Sequence, residues 1–203
     1  MSGIKYGLIS RTDADCIEAA LNYIMSDFPD NYDIHVIELG IYNGESSTGI
    51  SNYIISKKRG VCYHAIDNEK DKPVKNPFAG CNLIIGNSTE VYNRFEDNSQ
   101  HFIMVDADHS YIGVISDFYA YADKVKIGGF LCFHDTNPNI KPFKDFQHGD
   151  IGNPDAYISV RKALKRLGLL DNKVAGWKLI FDEYDPQNEA SGVCIFKRIN
   201  KWD

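Results

Sequence analysis

The chain has 203 residues, 43% hydrophobic and 25% charged, with a formal net charge of -6. That length suits one domain with one large core, and a negative balance excludes DNA, RNA or an anionic membrane surface as a standing partner, since each demands a basic face. Five unpaired-looking cysteines (16, 62, 81, 132 and 194), no secretory leader pattern and no apolar run of membrane-spanning length point to a cytoplasmic protein with free thiols.

Residues 1–11 read as an extended arm. A helix is predicted from Thr12, with Thr12 and Asp15 as a capping-box-like pair and Ala14, Ile17, Leu21 and Ile24 recurring on one face. The stretch DIHVIELGIYNGESS (33–47) follows. Val36 and Ile37 form a short β-branched run, Glu38 follows them, and Gly40 and Gly44 mark a turn. Ser46 and Ser47 then stand as helix caps before Ile50, Tyr53 and Ile54. A strand, a glycine turn and a helix N-terminus in succession cradle nucleotide-like ligands in doubly wound α/β proteins. Glycine permits the sharp bend and the close backbone approach. The spacing is G-x-x-x-G, not the dinucleotide G-x-G-x-x-G. An acid two residues before the first glycine would repel a pyrophosphate but attract a sulfonium and an α-ammonium. The charge pattern therefore favours S-adenosylmethionine over NAD.

VCYHAID (61–67) predicts a second strand ending in Asp67, 27 residues after Gly40, where an acid bonds ribose hydroxyls. Residues 68–81 hold two prolines and many charges, so the second crossover is short or a loop. A third strand over 82–86 runs into Asn87-Ser88 and a helix with Val91 and Phe95 inward; Ser88 reads equally well as its N-cap. The apolar run that begins at His101 predicts a central parallel strand buried on both faces. It ends in Asp106, Asp108, His109 and Tyr111, at the strand end where open parallel sheets bind ligands. A helix with Val114, Ile115, Phe118 and Val125 facing the sheet follows. Gly128-Gly129 then turn into a fifth strand, FLCFHDT, ending in His134, Asp135 and Thr136. Residues 137–152 predict a lid or substrate wall. Asn153-Pro154 opens another helix with Tyr157, Val160, Leu164 and Leu167 inward and Gly168 as its stop. WKLIFDEY and GVCIFKRI close the chain as an antiparallel pair.

Strands four and five, as neighbours roughly 4.8 Å apart, would bring Asp106 and Asp135 onto one ion. Two carboxylates plus waters suit Mg²⁺. In the competing arrangement Asp106 or Asp108 caps the next helix and Asp135 bonds loop amides. His109 has the pKa range of a general base for deprotonating a hydroxyl. His35, His64 and His101 lie in or at the starts of strands and read as structural, whereas His148 sits in the long loop.

ELGIYNGESS resembles the first motif of class I methyltransferases, above all the E-[LI]-G-x-Y-x-G-x-S of catechol and caffeoyl-CoA O-methyltransferases. DADHSY and HDT further on resemble a broader group of small-molecule class I methyltransferases, so the resemblance spans residues 34–136. It implies a doubly wound, mostly parallel seven-stranded Rossmann-like sheet with a C-terminal antiparallel hairpin. One domain would carry an arm and helix (1–32), a cofactor-binding core (33–136), a substrate loop (137–152) and a helix with the hairpin (153–203). It implies S-adenosylmethionine held by Glu38, Gly40, Tyr42, Asn43, Gly44, Ser46, Asp67, Gly86, Ser88 and Asp106, with Gly86 and Ser88 beside the adenine. It also implies a divalent metal, Mg²⁺ or Mn²⁺, on Asp106, His134 and Asp135, and places His109 where the catechol enzymes have a catalytic lysine. His134 departs from that family's Asp-Asn pair. Imidazole suits Zn²⁺, Mn²⁺ or Fe²⁺ better than Mg²⁺, so either the metal differs or His134 is not a ligand. The implied reaction is metal-assisted O-methylation of a small hydroxylated metabolite. A metal-dependent hydrolase built on the Asp/His cluster competes with it but leaves the glycine turn unemployed. A protein that binds S-adenosylmethionine without turning it over is the other alternative.

Overall fold

Apolar β-branched runs alternate with amphipathic stretches along the chain. In the computed structural model they form a seven-stranded sheet packed between helices. The structure describes residues 7, 9–29, 31–68, 76–140, 159–188 and 191–201. The strands are β1 (Ile34–Leu39), β2 (Val61–Asp67), β3 (Asn82–Ile85), β4 (Gln100–Val105), β5 (Val125–Phe133), β6 (Trp177–Glu183) and β7 (Val193–Arg198). Their spatial order is β3-β2-β1-β4-β5-β7-β6. The first five pair in parallel, and β7 inserts between β5 and β6, antiparallel to both. The helices are α1 (Arg11–Asp27), α2 (Glu45–Ser56), α3 (Ser88–Val91), α4 (Tyr111–Tyr121) and α5 (Val160–Leu167).

Alternation along the central strands feeds two cores. Val36, Ala65, Met104 and Cys132 pack with Ile17 and Leu21 of α1 and Ile50 and Ile54 of α2. Ile37, Ile103, Val105 and Phe133 pack with Val114 and Phe118 of α4 and Leu164 of α5. From β1 the chain steps outward through β2 and β3, then returns to the other side of β1 as β4. Such a reversal opens a crevice at the C-terminal strand ends, here between β1 and β4.

Several local expectations give way to stronger competitors. The N-cap of α1 is Ser10, whose Oγ accepts from the Asp13 amide at 3.2 Å, so Arg11 is already helical. With Thr12 inside the helix the expected capping box does not form, and Asp15 pairs instead with Arg11, one turn earlier, at 2.5 Å. Gly44 caps α2 from the left-handed region (φ 75°), while the hydroxyls of Ser46 and Ser47 turn inward to Glu38. Asn87, not Ser88, caps α3, accepting from the Thr89 amide at 3.1 Å. Val125, expected on the preceding helix, opens β5, and Gly128-Gly129 lie inside that strand. A Cβ on Gly129 would stand 2.8 Å from the His101 carbonyl oxygen, and the β4–β5 register shifts between Gln100 and Phe102. The glycines thus accommodate a bulge, not a turn. Among the described residues no helix joins β2 to β3.

The predicted closing pair forms β6 and β7, and Gly168 ends α5 at φ 80°. Most of the predicted loop, with His148, and the predicted helix start with Asn153, Pro154 and Tyr157 lie outside the described residues. No described helix is long and apolar enough to cross a membrane. All five cysteines are free.

Candidate active site

The turn after β1 and the turn after β4 meet backbone to backbone. Gly40 adopts φ 75°, and a Cβ there would overlap the Asp106 carbonyl oxygen and stand 2.6 Å from Ala107 Cα. Asp67, at the end of β2, braces the same turn: its Oδ2 accepts from the Ile41 amide at 3.0 Å and the Tyr42 amide at 3.2 Å. Tyr42 is exposed in the left-handed region (φ 47°), and Asn43 Oδ1 accepts from the Glu45 amide at 3.2 Å. Gly40, Tyr42, Asn43, Gly44 and Asp67 therefore do gather at the crevice.

Glu38 lies deeper. Its carboxylate is fully buried and accepts from the hydroxyls of Ser46, Ser47 and Tyr63, the last at 2.7 Å. Burial pushes its pKa up to about 7 against the pull of those three hydroxyls, and Asp106 adds to the rise. By its charge this acid is expected to face a sulfonium. The structure instead encloses it, tying β1 to the first turn of α2 and to β2. The pattern E-x-G-x-x-x-G-x-S-S is thus partly a folding device, in which the acid and the serines shape the turn between them.

After β3, the Gly86 amide donates to the Asp67 carbonyl oxygen at 2.9 Å. Ser88 donates its hydroxyl to Asp117 of α4 at 2.5 Å, and Tyr121 donates to the Ser88 carbonyl at 2.9 Å. Asp117 is buried, and its second oxygen has no hydrogen-bond partner among the described residues. Burial pushes its pKa up to about 7; Ser88 opposes the rise and Asp108 adds to it. A raised acid binds its proton more tightly folded than unfolded. Stability is therefore lost as pH climbs from the ordinary aspartate range through 7. Asp117→Asn has no such loss. From pH 5 to pH 8 the variant should gain on wild type by on the order of 2 kcal/mol in urea unfolding. A pH-independent difference would contradict this.

The ends of β4 and β5 hold the densest chemistry. Asp106, His134 and Asp135 present ligand atoms that all lie within 4.8 Å of one another. His134 Nδ1 stands 3.2 Å from Asp106 Oδ1 and 3.4 Å from Asp135 Oδ1. His109 Nε2 stands 3.1 Å from Asp106 Oδ1 and 3.3 Å from Asp135 Oδ2. Asp135 itself takes a left-handed backbone (φ 54°), a conformation that aspartate tolerates better than most residues. The competing arrangement fails locally: Ser110 is the N-cap of α4, and Asp108 accepts from the Ser110 amide at 2.8 Å, so Asp106 caps nothing.

Charge binds this cluster together. Burial opposes ionisation of Asp106, but His134 and His109 outweigh it and hold the carboxyl well below its usual range. Burial likewise opposes the His134 imidazolium, and Asp106, Asp13 and Asp135 together override it, raising that pKa. Asp135 is pushed up by burial and by Asp106. The donor set fits a divalent ion. Adjacent ligands bonded at about 2.1–2.2 Å to one octahedral ion stand about 3 Å apart, close to the Nδ1–oxygen separations above.

One participant escaped the sequence reading. Asp13 of α1 is completely buried, with Oδ2 3.4 Å from His134 Nε2. Its signal was present: a carboxylate one helical turn before Ile17, on the stripe that faces the sheet.

Residues 37–136 match the profile of a family described as a methyltransferase domain. No curated protein matches the chain by sequence. Among solved structures, a Corynebacterium glutamicum protein superposes at TM-score 0.61 with 13% identity, over 95% of this chain and 84% of its own. A TDP-rhamnose 3'-O-methyltransferase of calicheamicin biosynthesis superposes at 0.57 with 14% identity, over 90% of this chain and 77% of its own. The MycE methyltransferase of the mycinamycin pathway, solved with Mg and SAH, superposes at 0.52 with 12% identity, over 91% of this chain and 54% of its own. At such identities the superpositions establish the class I fold alone, while the methyltransferase-domain match, running from Ile37 within β1 to Thr136 just past β5, is what identifies the chain as an S-adenosylmethionine-dependent methyltransferase.

Proposed function

We propose that the protein methylates a hydroxyl group of a small metabolite with the help of a divalent metal held by Asp106, His134 and Asp135. The observation that carries this reading is the convergence of two carboxylates and two imidazoles beside the glycine turn. S-adenosylmethionine supplies an electrophilic methyl group on sulfur, and a divalent ion lowers the pKa of a hydroxyl bound to it. The protein's own part is alignment and proton removal. The turn over Gly40–Gly44, braced by Asp67, holds the donor at the β1 end. The acceptor oxygen is held at the β4 and β5 ends, and His109 takes its proton as that oxygen bonds to the methyl carbon. The carbon–sulfur bond breaks with its electron pair going to sulfur. Positioning dominates such an in-line displacement. Two of the superposed proteins lend support: one is named for methylating a sugar hydroxyl, and the other was solved with Mg.

Calorimetric titration with S-adenosylmethionine and NAD, each with and without Mg²⁺ or Mn²⁺, tests the reading. S-adenosylmethionine should bind, NAD should not, and Mn²⁺ should bind at a 1:1 ratio by the imidazole argument. A protein indifferent to all divalent ions would remove the metal from the proposal.

The distances also favour a second role for His109. Its Nε2 is as near the carboxylates as His134 Nδ1 is, although the convergent ligand set is Asp106, His134 and Asp135. His109→Gln separates the two roles. Loss of a base alters the pH–rate profile and lowers turnover by about 10²–10⁴-fold with metal affinity intact. Loss of a ligand weakens the metal itself.

A further inference from the structure

Asp13 sits on the sheet-facing stripe of α1 with no solvent exposure. A carboxylate buried so completely needs partners. Both its oxygens face the Gly192 amide, at 3.1 and 3.2 Å, and Oδ2 lies 3.4 Å from His134 Nε2. Strand alternation explains the approach. Cys132 faces the α1 side and Phe133 faces the α4 side, so His134, next in line, returns to α1. The imidazole is thus flanked by carboxylates at both edges, with Asp13 beside Nε2 and the Asp106–Asp135 pair at Nδ1. The segment carrying His134 and Asp135 is pinned to the same place. The amides of Thr136 and Asn137 donate to the carbonyls of Gly192 and Ser191 at 3.1 and 3.0 Å. At φ 104°, Gly192 has no room for a side chain, since a Cβ would stand 2.6 Å from the Asn137 nitrogen.

We propose that Asp13 is a positioning residue of the metal centre, holding the Nε2 edge of His134 so that Nδ1 is directed at Asp106 and Asp135. This rests on the metal reading given under Proposed function. A histidine that ligates through one nitrogen almost always donates its other N–H to a carboxylate or carbonyl, which sets both tautomer and ring orientation. Asp13 fills that place. His134 Nε2 is buried and makes no hydrogen bond among the described residues, and the carboxylate that faces it, at 3.4 Å, is Asp13.

Mn²⁺ affinity, measured by calorimetry on the full chain, tests the assignment in wild type, Asp13→Asn and Ser10→Ala. Asp13→Asn should weaken Mn²⁺ by about 10–100-fold and leave S-adenosylmethionine affinity unchanged. Ser10→Ala removes the N-cap bond to the Asp13 amide and loosens the same helix end without touching His134, so it should keep wild-type Mn²⁺ affinity. Equal losses in the two variants would reduce Asp13 to a prop of α1 and overturn the proposal. Wild-type affinity in Asp13→Asn would overturn it while leaving the metal centre standing. A wild type that binds no divalent ion would sink the metal reading and this proposal together. A check that needs no variant is the ¹⁵N spectrum of the Zn²⁺-loaded wild type. His134 should show a protonated Nε2 and a metal-bound Nδ1, and the reverse assignment overturns the proposal.

Discussion

Asp106→Asn is expected to abolish tight divalent-metal binding and to slow methyl transfer by about 10²–10³-fold, the scale seen when one electrostatic partner is removed from a preorganised site. The side chain earns this weight by geometry: Oδ1 alone lies within 3.2 Å of both His109 Nε2 and His134 Nδ1. An amide keeps the shape and the backbone but loses the charge that holds both imidazoles to it. S-adenosylmethionine affinity is expected to survive, because Asp106 meets Gly40 through its carbonyl, which asparagine retains. Paired calorimetry with Mn²⁺ and S-adenosylmethionine, alongside turnover, reads all three quantities. Undiminished Mn²⁺ binding would take Asp106 out of the metal centre. A collapse of S-adenosylmethionine binding would move its carboxylate to the cofactor side of the crevice.

The second large effect is expected at Gly40. Alanine there must hold a left-handed backbone, at about 1–2 kcal/mol, and must also push its methyl into the Asp106–Ala107 backbone, where overpacking costs about 1–3 kcal/mol. Gly40→Ala should therefore lose on the order of 3 kcal/mol in denaturant unfolding. Whatever remains folded should bind both S-adenosylmethionine and metal poorly, because relief of the clash moves the β4 turn that carries Asp106 and His109. Gly44→Ala is the milder companion: it shares φ 75°, but its added methyl meets the Pro77 ring at 2.8 Å and not a strand-end backbone. A Gly40→Ala protein as stable as wild type would show that the two turns are not locked together.

Much of this architecture is legible in local pattern. The Val36–Gly44 stretch announces a strand and a turn because β-branched residues and glycines have opposite backbone preferences. Each parallel strand buried on both faces reads as a continuous apolar run, so the polar residues that end β4 and β5 stand out. Asp106, His109, His134 and Asp135 were found in that way, and the fold brings all four together. Side-chain direction was not legible there. Glu38 and Ser46 sit in the expected places, yet their side chains bond to each other, because the pleat sends Glu38 to the α2 face. Caps and boundaries slipped by a residue or more, as at α1, where Ser10 and not Thr12 is the N-cap.

From its residues alone the chain specified which segments become strands and helices, that the sheet is wound on both faces, and that acids and histidines end two strands. Those properties follow from short-range periodicity and backbone preference. Only the tertiary fold decided that β7 slips between β5 and β6, that Glu38 is enclosed, and that Asp13 stands behind His134. The contact between Asp13 and Gly192 joins residues 179 positions apart. No local preference encodes such a pairing, because it exists only when α1 lies down on a sheet that the last strand has completed.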